Sequence, residues 1–135
     1  MQKQKIQKIS LIMATALLIP FGTVAEAEAP HKPVEITLTA EQIALQNPKQ
    51  YAKDQFEQYG WSDSQFPCLG KLWGKESAWN HLADNPHSTA FGVAQMLGED
   101  SLLISVQIER GLRYIEHRYG SPCVAWQFWQ RNKWY

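Results

Sequence analysis

The stretch from residue 68 to residue 79 predicts an amphipathic helix with a carboxylate on its apolar stripe. Leu69, Leu72 and Trp73 recur at the i, i+3 and i+4 spacing of one helix face. Glu76 continues that spacing, so its side chain is expected to face the interior. Burial removes hydration from the charged form and raises the pKa of a carboxyl group. We therefore expect a buried helix that presents a carboxyl group able to hold a proton near neutral pH.

Two interpretations of Glu76 follow from its place on the helix. A carboxyl group with a raised pKa is a candidate general acid. Alternatively, Glu76 is a helix-terminal residue that forms an ion pair with Lys71 or Lys75. The spacing alone leaves both interpretations open.

The first 29 residues are predicted to be a secretory signal peptide. Lys3, Lys5 and Lys8 precede an apolar run over residues 9–20, and small residues follow it. Cleavage sites of the A-x-A type end at Ala25, Ala27 or Ala29. A retained membrane anchor is the alternative, but it needs about 20 apolar residues, and this run is shorter. We expect export to the cell envelope or the medium, extracellular or periplasmic, with no stable membrane anchor after cleavage.

Export changes the interpretation of the two cysteines, Cys68 and Cys123. In an oxidising compartment a lone pair of cysteines in a small domain is expected to form a disulfide. A loop of about 55 residues closed in this way would stabilise the fold by about 4 kcal/mol in the chain-entropy model. A nucleophilic cysteine is the competing interpretation, and the absence of a histidine beside either residue disfavours it.

Capping signals divide the rest of the chain into helices. Residues 39–42 predict a capping box, and Asn47 followed by proline predicts a second helix that ends at Gly60. A further capping box is expected at 62–65, opening the helix that carries Glu76.

The second half of the chain contains a turn-rich segment followed by two more predicted helices. Residues 84–91 are rich in turn formers and predict a loop or small hairpin, whereas 105–119 and 123–131 predict helices. The expected fold class is mainly α, one compact helical domain with a small loop or hairpin wing. We divide the chain into a signal peptide at 1–29, a linker with a short helix at 30–46, and the domain at 47–135.

Four segments in fixed order carry a resemblance to a known family. They are WGKESAWN at 73–80, NP at 85–86 with AFGVAQ at 90–95, GLRYI at 111–115, and RYGSP at 118–122. Together they resemble the lytic transglycosylase domain of the lysozyme-like superfamily, closest to its compact secreted and phage-associated forms. The resemblance covers residues 47–135 and implies an α+β lysozyme-like fold.

The resemblance implies cleavage of the β-1,4 bond between N-acetylmuramic acid and N-acetylglucosamine in peptidoglycan. Glu76 corresponds to the single general acid and base, which leaves a 1,6-anhydro-muramic acid end. Ser77, Gly92, Gln95 and Tyr114 correspond to substrate-binding residues. The implied partner is the glycan strand, without cofactor or metal, and the protein is expected to act as a monomer. A hydrolytic lysozyme and a non-catalytic peptidoglycan-binding protein of the same fold are the alternatives.

The charged residues allow three further functional interpretations. With 13 basic and 13 acidic residues, the chain has no net charge and no stripe typical of nucleic-acid binding. Asp84, Glu99 and Asp100 are the nearest downstream candidates for a second catalytic carboxylate, and we expect all three to be exposed. His81, Asp84 and His87 are spaced like metal ligands but lack a recognised zinc signature.

Large aromatic residues are abundant, with six tryptophans in the chain. Trp73, Trp79 and Trp126 are expected in the core, because large aromatic side chains at helical spacing usually pack inward. The last two residues, Trp134 and Tyr135, are expected to fold back onto the domain.

Overall fold

The computed structural model describes residues 37–135, and these residues form a mainly helical domain. The helices are α1 (Ala40–Gln46), α2 (Pro48–Asp54), α3 (Phe66–Glu76), α4 (Ile104–Tyr119) and α5 (Pro122–Asn132). Two short 3-10 helices, Phe56–Tyr59 and Asp63–Gln65, lie between α2 and α3. Strands β1 (Ala90–Phe91) and β2 (Met96–Leu97) form an antiparallel hairpin. The predicted mainly α class with a small hairpin wing is confirmed.

The first two helices begin where their capping signals predicted. The Gln42 amide donates to Thr39 Oγ1 at 3.2 Å, and the Thr39 amide donates to Gln42 Oε1 at 2.9 Å. This reciprocal pair satisfies backbone donors that have no partner within the helix. At the start of α2, Asn47 Oδ1 accepts a hydrogen bond from the Gln50 amide at 3.1 Å. Both predicted caps are therefore confirmed.

The prediction of one continuous helix from residue 48 to Gly60 was wrong. The α-helix ends at Asp54, and a 3-10 helix then continues to a left-handed Gly60 with φ of 67°. The tighter 3-10 turn brings Phe56 into the core, where it is 2% exposed and packs edge-on against Trp61. Tertiary packing of Phe56 thus accompanies the change in helical geometry.

The capping box predicted at 62–65 was also wrong. Ser62 makes no capping hydrogen bond through its side chain, and α3 begins at Phe66 with Pro67 in its first turn. Proline has no amide hydrogen, so one of the donors that a cap would satisfy is absent. Gln65 Oε1 instead accepts from the Cys123 amide at 3.0 Å. The side chain that was expected to cap α3 therefore stabilises the start of α5.

Helix α1 contributes the cap that α4 lacks in its own sequence. No side chain at the N-terminus of α4 caps it, but Glu41 accepts from the amides of Ile104 at 3.1 Å and Ser105 at 2.9 Å. It also accepts from Ser105 Oγ at 2.7 Å. Burial tends to raise the pKa of Glu41, but these hydrogen bonds to the charged form outweigh it, and the net pKa is lowered. The short N-terminal helix is thereby joined to the domain.

The core lies where α3, α4 and α5 meet, and a disulfide joins two of these helices. Cys68 on α3 is bonded to Cys123 on α5, as the sequence predicted. The fully buried side chains between the helices include Leu69, Leu72, Trp73, Ile108, Leu112 and Ile115. Trp73 and Trp79 are buried as predicted, whereas Trp126 is only partly buried. Trp126 stacks on Trp129 instead, at a centroid distance of 5.2 Å.

Two helical glycines differ in the space around them and provide a matched pair of substitutions. A Cβ at Gly111 would lie 2.6 Å from Ala94 Cβ and 2.7 Å from the Trp73 ring, whereas a Cβ at Gly74 would meet nothing within 4 Å. Gly111→Ala is therefore expected to destabilise the fold by about 1–3 kcal/mol through overpacking. Gly74→Ala should stabilise it by about 0.5–1 kcal/mol through helix propensity. Urea unfolding measures both, and equal effects would contradict this packing.

No helix within residues 37–135 is long and apolar enough to span a membrane. The predicted signal peptide and its cleavage sites lie outside the described residues.

Candidate active site

Glu76 is the last residue of α3 and is half-buried. Loss of hydration raises the pKa of its carboxyl group, and this effect outweighs a hydrogen bond that acts in the opposite direction. That bond comes from Trp129 Nε1 on α5, which donates to Glu76 Oε1 at 2.5 Å. An indole N–H is only a donor, so it favours the charged carboxylate. The pKa of the Glu76 carboxyl group is therefore raised, and the Trp129 N–H still provides a hydrogen bond to the charged form.

The ion-pair interpretation of Glu76 has no support in this geometry. Lys71 and Lys75 are both exposed, and neither forms a salt bridge with Glu76 within residues 37–135. The carboxylate instead contacts an aromatic side chain from the neighbouring helix.

Two consecutive left-handed residues follow the end of α3. Ala78 and Trp79 have φ values of 54° and 64°, which cost a non-glycine residue about 1–2 kcal/mol each. The reversal buries Trp79 against Trp73, with ring centroids 5.1 Å apart and an edge-to-face arrangement. Packing of two tryptophans offsets the backbone strain and stops the helix at Glu76.

Glu76 lines a cavity of about 290 Å³, which we call the acid cavity. A second cavity of about 330 Å³, the arginine cavity, is lined by Tyr114 and Arg118. Four residues line both cavities, namely Gln95, Leu97, Trp134 and Tyr135. The two cavities therefore adjoin, and together they form a cleft between the hairpin, α4 and the C-terminal segment.

Gln95 is held at the junction of the two cavities. Its Nε2 donates to the carbonyls of Ala83 and Gly92, each at 3.0 Å. Its backbone is in the left-handed region, with φ of 50°, within the hairpin turn. Because both amide hydrogens are used, Oε1 is the remaining polar atom, and it has no hydrogen-bond partner within the described part of the chain. Gln95 thus offers a fixed hydrogen-bond acceptor to the cleft.

Tyr114 lines the arginine cavity and not the acid cavity that contains Glu76. Its hydroxyl accepts a hydrogen bond from Arg118 Nη1 at 2.8 Å, and its ring lies 5.7 Å from the Tyr135 ring. The structure therefore brings Gln95 together with Glu76 in one cavity and with Tyr114 in the other.

Ser77 and Gly92, the other two residues of the predicted site, line neither cavity. Ser77 Oγ donates to the Val93 carbonyl at 2.6 Å, which ties the end of α3 to the hairpin turn. Gly92 has φ of 79°, and a Cβ there would lie 2.4 Å from Gln107 Oε1. The absence of a side chain at Gly92 thus allows the Gln107 side chain to lie against the backbone there.

Gln107 is a positioning residue that was not among the site residues predicted from the sequence. It is 1% exposed; its Oε1 accepts from the Val93 amide, while its Nε2 donates to the carbonyls of His81 and Ser101. A single amide side chain on α4 therefore fixes both ends of the loop that carries Gln95. The available signal was an amide on the apolar stripe of α4, next to Ile108.

The C-terminal residue, Tyr135, folds back as predicted and forms part of the cleft. Its hydroxyl accepts from Trp73 Nε1 at 2.9 Å and donates to the Ala94 carbonyl at 2.7 Å. Burial raises its pKa well above the ordinary value; the hydrogen bond from Trp73 opposes this, and the Glu76 charge adds to it. Tyr135 is thus neutral and links the core to the hairpin turn.

Among residues 37–135, Glu76 is the only carboxylate that lines the acid cavity. Of the three alternative acids, Asp84 and Asp100 are exposed as expected. The prediction that Glu99 is exposed was wrong. Its side chain is 2% exposed and forms an ion pair with Arg110, with 2.6 Å between Glu99 Oε1 and Arg110 Nη1. That carboxylate is used in an ion pair, and burial is possible because Arg110 neutralises it.

His81, Asp84 and His87 do not converge. Within residues 37–135 no group of three His, Cys, Asp or Glu side chains is placed to hold a metal ion. The spacing of these three residues in the sequence therefore gives no metal-binding geometry.

Comparison with protein families, with characterised proteins and with solved structures gave no match to this chain. The functional interpretation therefore depends on the chemistry of the cleft.

The hydrogen bond from Trp129 provides a test of the protonation of Glu76. Trp129→Phe keeps an aromatic ring but removes the donor that favours the charged carboxylate, so the pKa of Glu76 should rise. If protonated Glu76 is the acid, activity falls as the pH rises through this pKa, and the alkaline limb should move to higher pH in the variant. A pH profile of kcat/KM measures the shift.

The matched control is Trp126→Phe. Trp126 stacks on Trp129 but makes no hydrogen bond to Glu76. The alkaline limb of the kcat/KM profile of Trp126→Phe should stay at the pH of the wild type. An equal shift in both variants would contradict the role of the Trp129 N–H.

Proposed function

We propose that this protein is an exported peptidoglycan lytic transglycosylase with a lysozyme-like fold. It would cleave the β-1,4 bond between N-acetylmuramic acid and N-acetylglucosamine and form a 1,6-anhydro-muramic acid end. The observation that carries the proposal is Glu76, a half-buried carboxyl group with a raised pKa in a cleft. The motifs at 73–80, 90–95 and 111–115 support the same reaction through their resemblance to this family.

In the first step, protonated Glu76 donates its proton to the glycosidic oxygen as the bond to C1 breaks. A raised pKa supports this role, because it increases the fraction of the protonated acid near neutral pH. Loss of the proton leaves a carboxylate, and the Trp129 N–H stabilises that charge.

In the second step, the Glu76 carboxylate accepts the proton of the muramoyl 6-hydroxyl as that oxygen attacks C1. The acid is thereby regenerated without a second protein carboxylate. A pair of catalytic carboxylates would need a separation of about 5–9 Å, and the part of the chain that the structure describes contributes one carboxylate to the lining of the acid cavity. This supports an intramolecular nucleophile on the sugar.

The remaining cleft residues suit an amino sugar. Gln95 Oε1 is a fixed acceptor for an acetamido N–H, and Trp134 is 52% exposed beside it. An exposed indole offers an apolar face on which the ring of a sugar can pack. The arginine cavity extends the cleft beyond Glu76, as a polymeric substrate requires.

The test is the mass of the muropeptides released from purified peptidoglycan by the mature protein. Products lighter by one water than hydrolytic fragments are expected, because the 6-hydroxyl replaces water as nucleophile. Reducing-end products would overturn the proposal in favour of a hydrolytic lysozyme. Binding to peptidoglycan without any product would favour the non-catalytic alternative.

A further inference from the structure

Arg118 is a cation held within aromatic side chains at the end of the cleft away from Glu76. Its guanidinium carbon lies 5.8 Å from the Tyr114 centroid, 5.5 Å from Tyr119, 5.9 Å from Phe128 and 5.1 Å from Trp134. Cation–π attraction favours a guanidinium close to aromatic faces, and it acts at exposed sites as well. Four rings therefore restrict the side chain to one region of the cavity wall.

The guanidinium group has most of its donors unused. It has five N–H groups, and within residues 37–135 it makes one hydrogen bond, from Nη1 to the Tyr114 hydroxyl at 2.8 Å. None of the salt bridges between described residues includes Arg118, and the residue is exposed. By contrast, Arg110 on the same helix is bonded to both Glu99 and Asp100.

Among the described residues, no carboxylate lines the arginine cavity. Its lining residues within 37–135 include Gln95, Tyr114, Trp134 and Tyr135, and Arg118 is the only charged side chain in that set. A cation in a cavity with aromatic walls and no counter-ion is electrostatically suited to a planar anion, which the guanidinium fork can bind with two hydrogen bonds. The fixed side chain reduces the entropy lost on binding.

We propose that Arg118 and the arginine cavity form a carboxylate-binding subsite for the substrate strand. This inference rests on the proposed function, because a peptidoglycan strand in the adjoining acid cavity would bring its carboxylates to this site. Two sources share this chemistry, the lactyl carboxylate of a muramic acid without peptide and the carboxylates of the attached peptide. A homopolymer of N-acetylglucosamine has neither.

Three disaccharides distinguish these sources. They are di-N-acetylchitobiose, the β-1,4 disaccharide of N-acetylglucosamine and N-acetylmuramic acid, and the same disaccharide with an acidic dipeptide on its lactyl group. NMR titration of the mature protein gives a Kd for each. We expect at least one of the two acidic ligands to bind about tenfold more tightly than the neutral one. The tighter acidic ligand identifies the source, and added salt should reduce the difference.

Two variants of Arg118 test whether this residue causes the tighter binding of the acidic disaccharides. Arg118→Gln should bind all three disaccharides with equal affinity, and Arg118→Lys should retain part of the preference, because it keeps the charge but loses the fork. Arg113→Gln is the matched control, since Arg113 is an exposed arginine of α4 outside the cleft, and it should keep the wild-type preference. Backbone amide spectra report whether each variant is folded.

The proposal is overturned if the wild-type protein binds the neutral disaccharide as tightly as both acidic ones, or if it binds none of them. It is also overturned if the preference survives in folded Arg118→Gln. Cleavage of intact peptidoglycan is measured separately. Cleavage without a carboxylate preference removes this inference alone, whereas a preference without cleavage removes the catalytic function and leaves a carboxylate-dependent glycan-binding site.

Discussion

Glu76→Gln is expected to reduce the rate of anhydro-muropeptide release by about 10³-fold. The amide has nearly the shape of the carboxyl group, but it cannot donate a proton to the leaving oxygen or accept one from the 6-hydroxyl. No other carboxylate of the described residues lines the acid cavity, so none of them is placed to substitute for it. Initial rates of product formation on purified peptidoglycan measure the effect, and affinity for the glycan should change much less.

The control for this variant is Glu57→Gln, which changes an exposed carboxylate outside the cleft. Its rate should equal that of the wild type. Retention of more than about a tenth of the rate by Glu76→Gln would contradict the assignment of Glu76 as the acid, given the usual contribution of general acid catalysis.

Unfolding experiments show whether a loss of activity is caused by a loss of structure. The pKa of Glu76 is raised by folding, so the folded state binds the proton more tightly than the unfolded state. The stability associated with Glu76 is then present below the unfolded pKa and is lost as the pH rises through the folded pKa. Glu76→Gln, which stays neutral, should therefore gain stability over the wild type as the pH increases.

Removal of the disulfide is expected to have the largest effect on stability. The bond closes a loop with a sequence separation of 55, for which the chain-entropy model gives about 4 kcal/mol. Small domains are typically stable by about 5–15 kcal/mol, so the double variant Cys68→Ala and Cys123→Ala should unfold at much lower urea concentration. The loss arises because the unfolded chain gains conformational freedom.

The same disulfide also joins the two helices that carry the hydrogen-bonded pair of the candidate site. It joins α3, which carries Glu76, to α5, which carries Trp129. Urea unfolding of the wild type with and without reductant should reproduce the difference between wild type and double variant. A loss below about 1 kcal/mol would indicate that packing of α3 on α5 already restricts the chain, contrary to the loop-entropy argument.

Much of the fold was predictable because its signals are local. Thr39 and Asn47 cap the helices that follow them, since a side chain needs to reach only two or three residues along the chain. The end of α4 is also a local signal, because Gly120 follows the last helical residue and adopts the left-handed conformation that glycine favours, with φ of 75°. The disulfide was predictable because only one pairing exists for two cysteines.

Some of the failed predictions involve contacts between residues far apart in sequence. Gln65 has the spacing of a capping residue, but it bonds Cys123, and Glu41 caps a helix more than sixty residues later. Glu99 is buried because Arg110 is folded against it. A single sequence contains no direct signal for such pairs, because the free energy of each bond depends on which elements pack together.

The candidate site also contains some features that follow from local sequence signals and others that depend on tertiary contacts. The sequence by itself determined that Glu76 lies on the apolar stripe of a helix, because helical periodicity follows from the backbone alone. It also placed Gln95 and Tyr114 in segments that resemble a known site. Only the tertiary structure decided that Trp129 donates to Glu76, that Ser77 and Gly92 support the hairpin turn, and that Arg118 adjoins the cleft. Packing of α3, α4 and α5 creates these contacts, and packing depends on the whole chain.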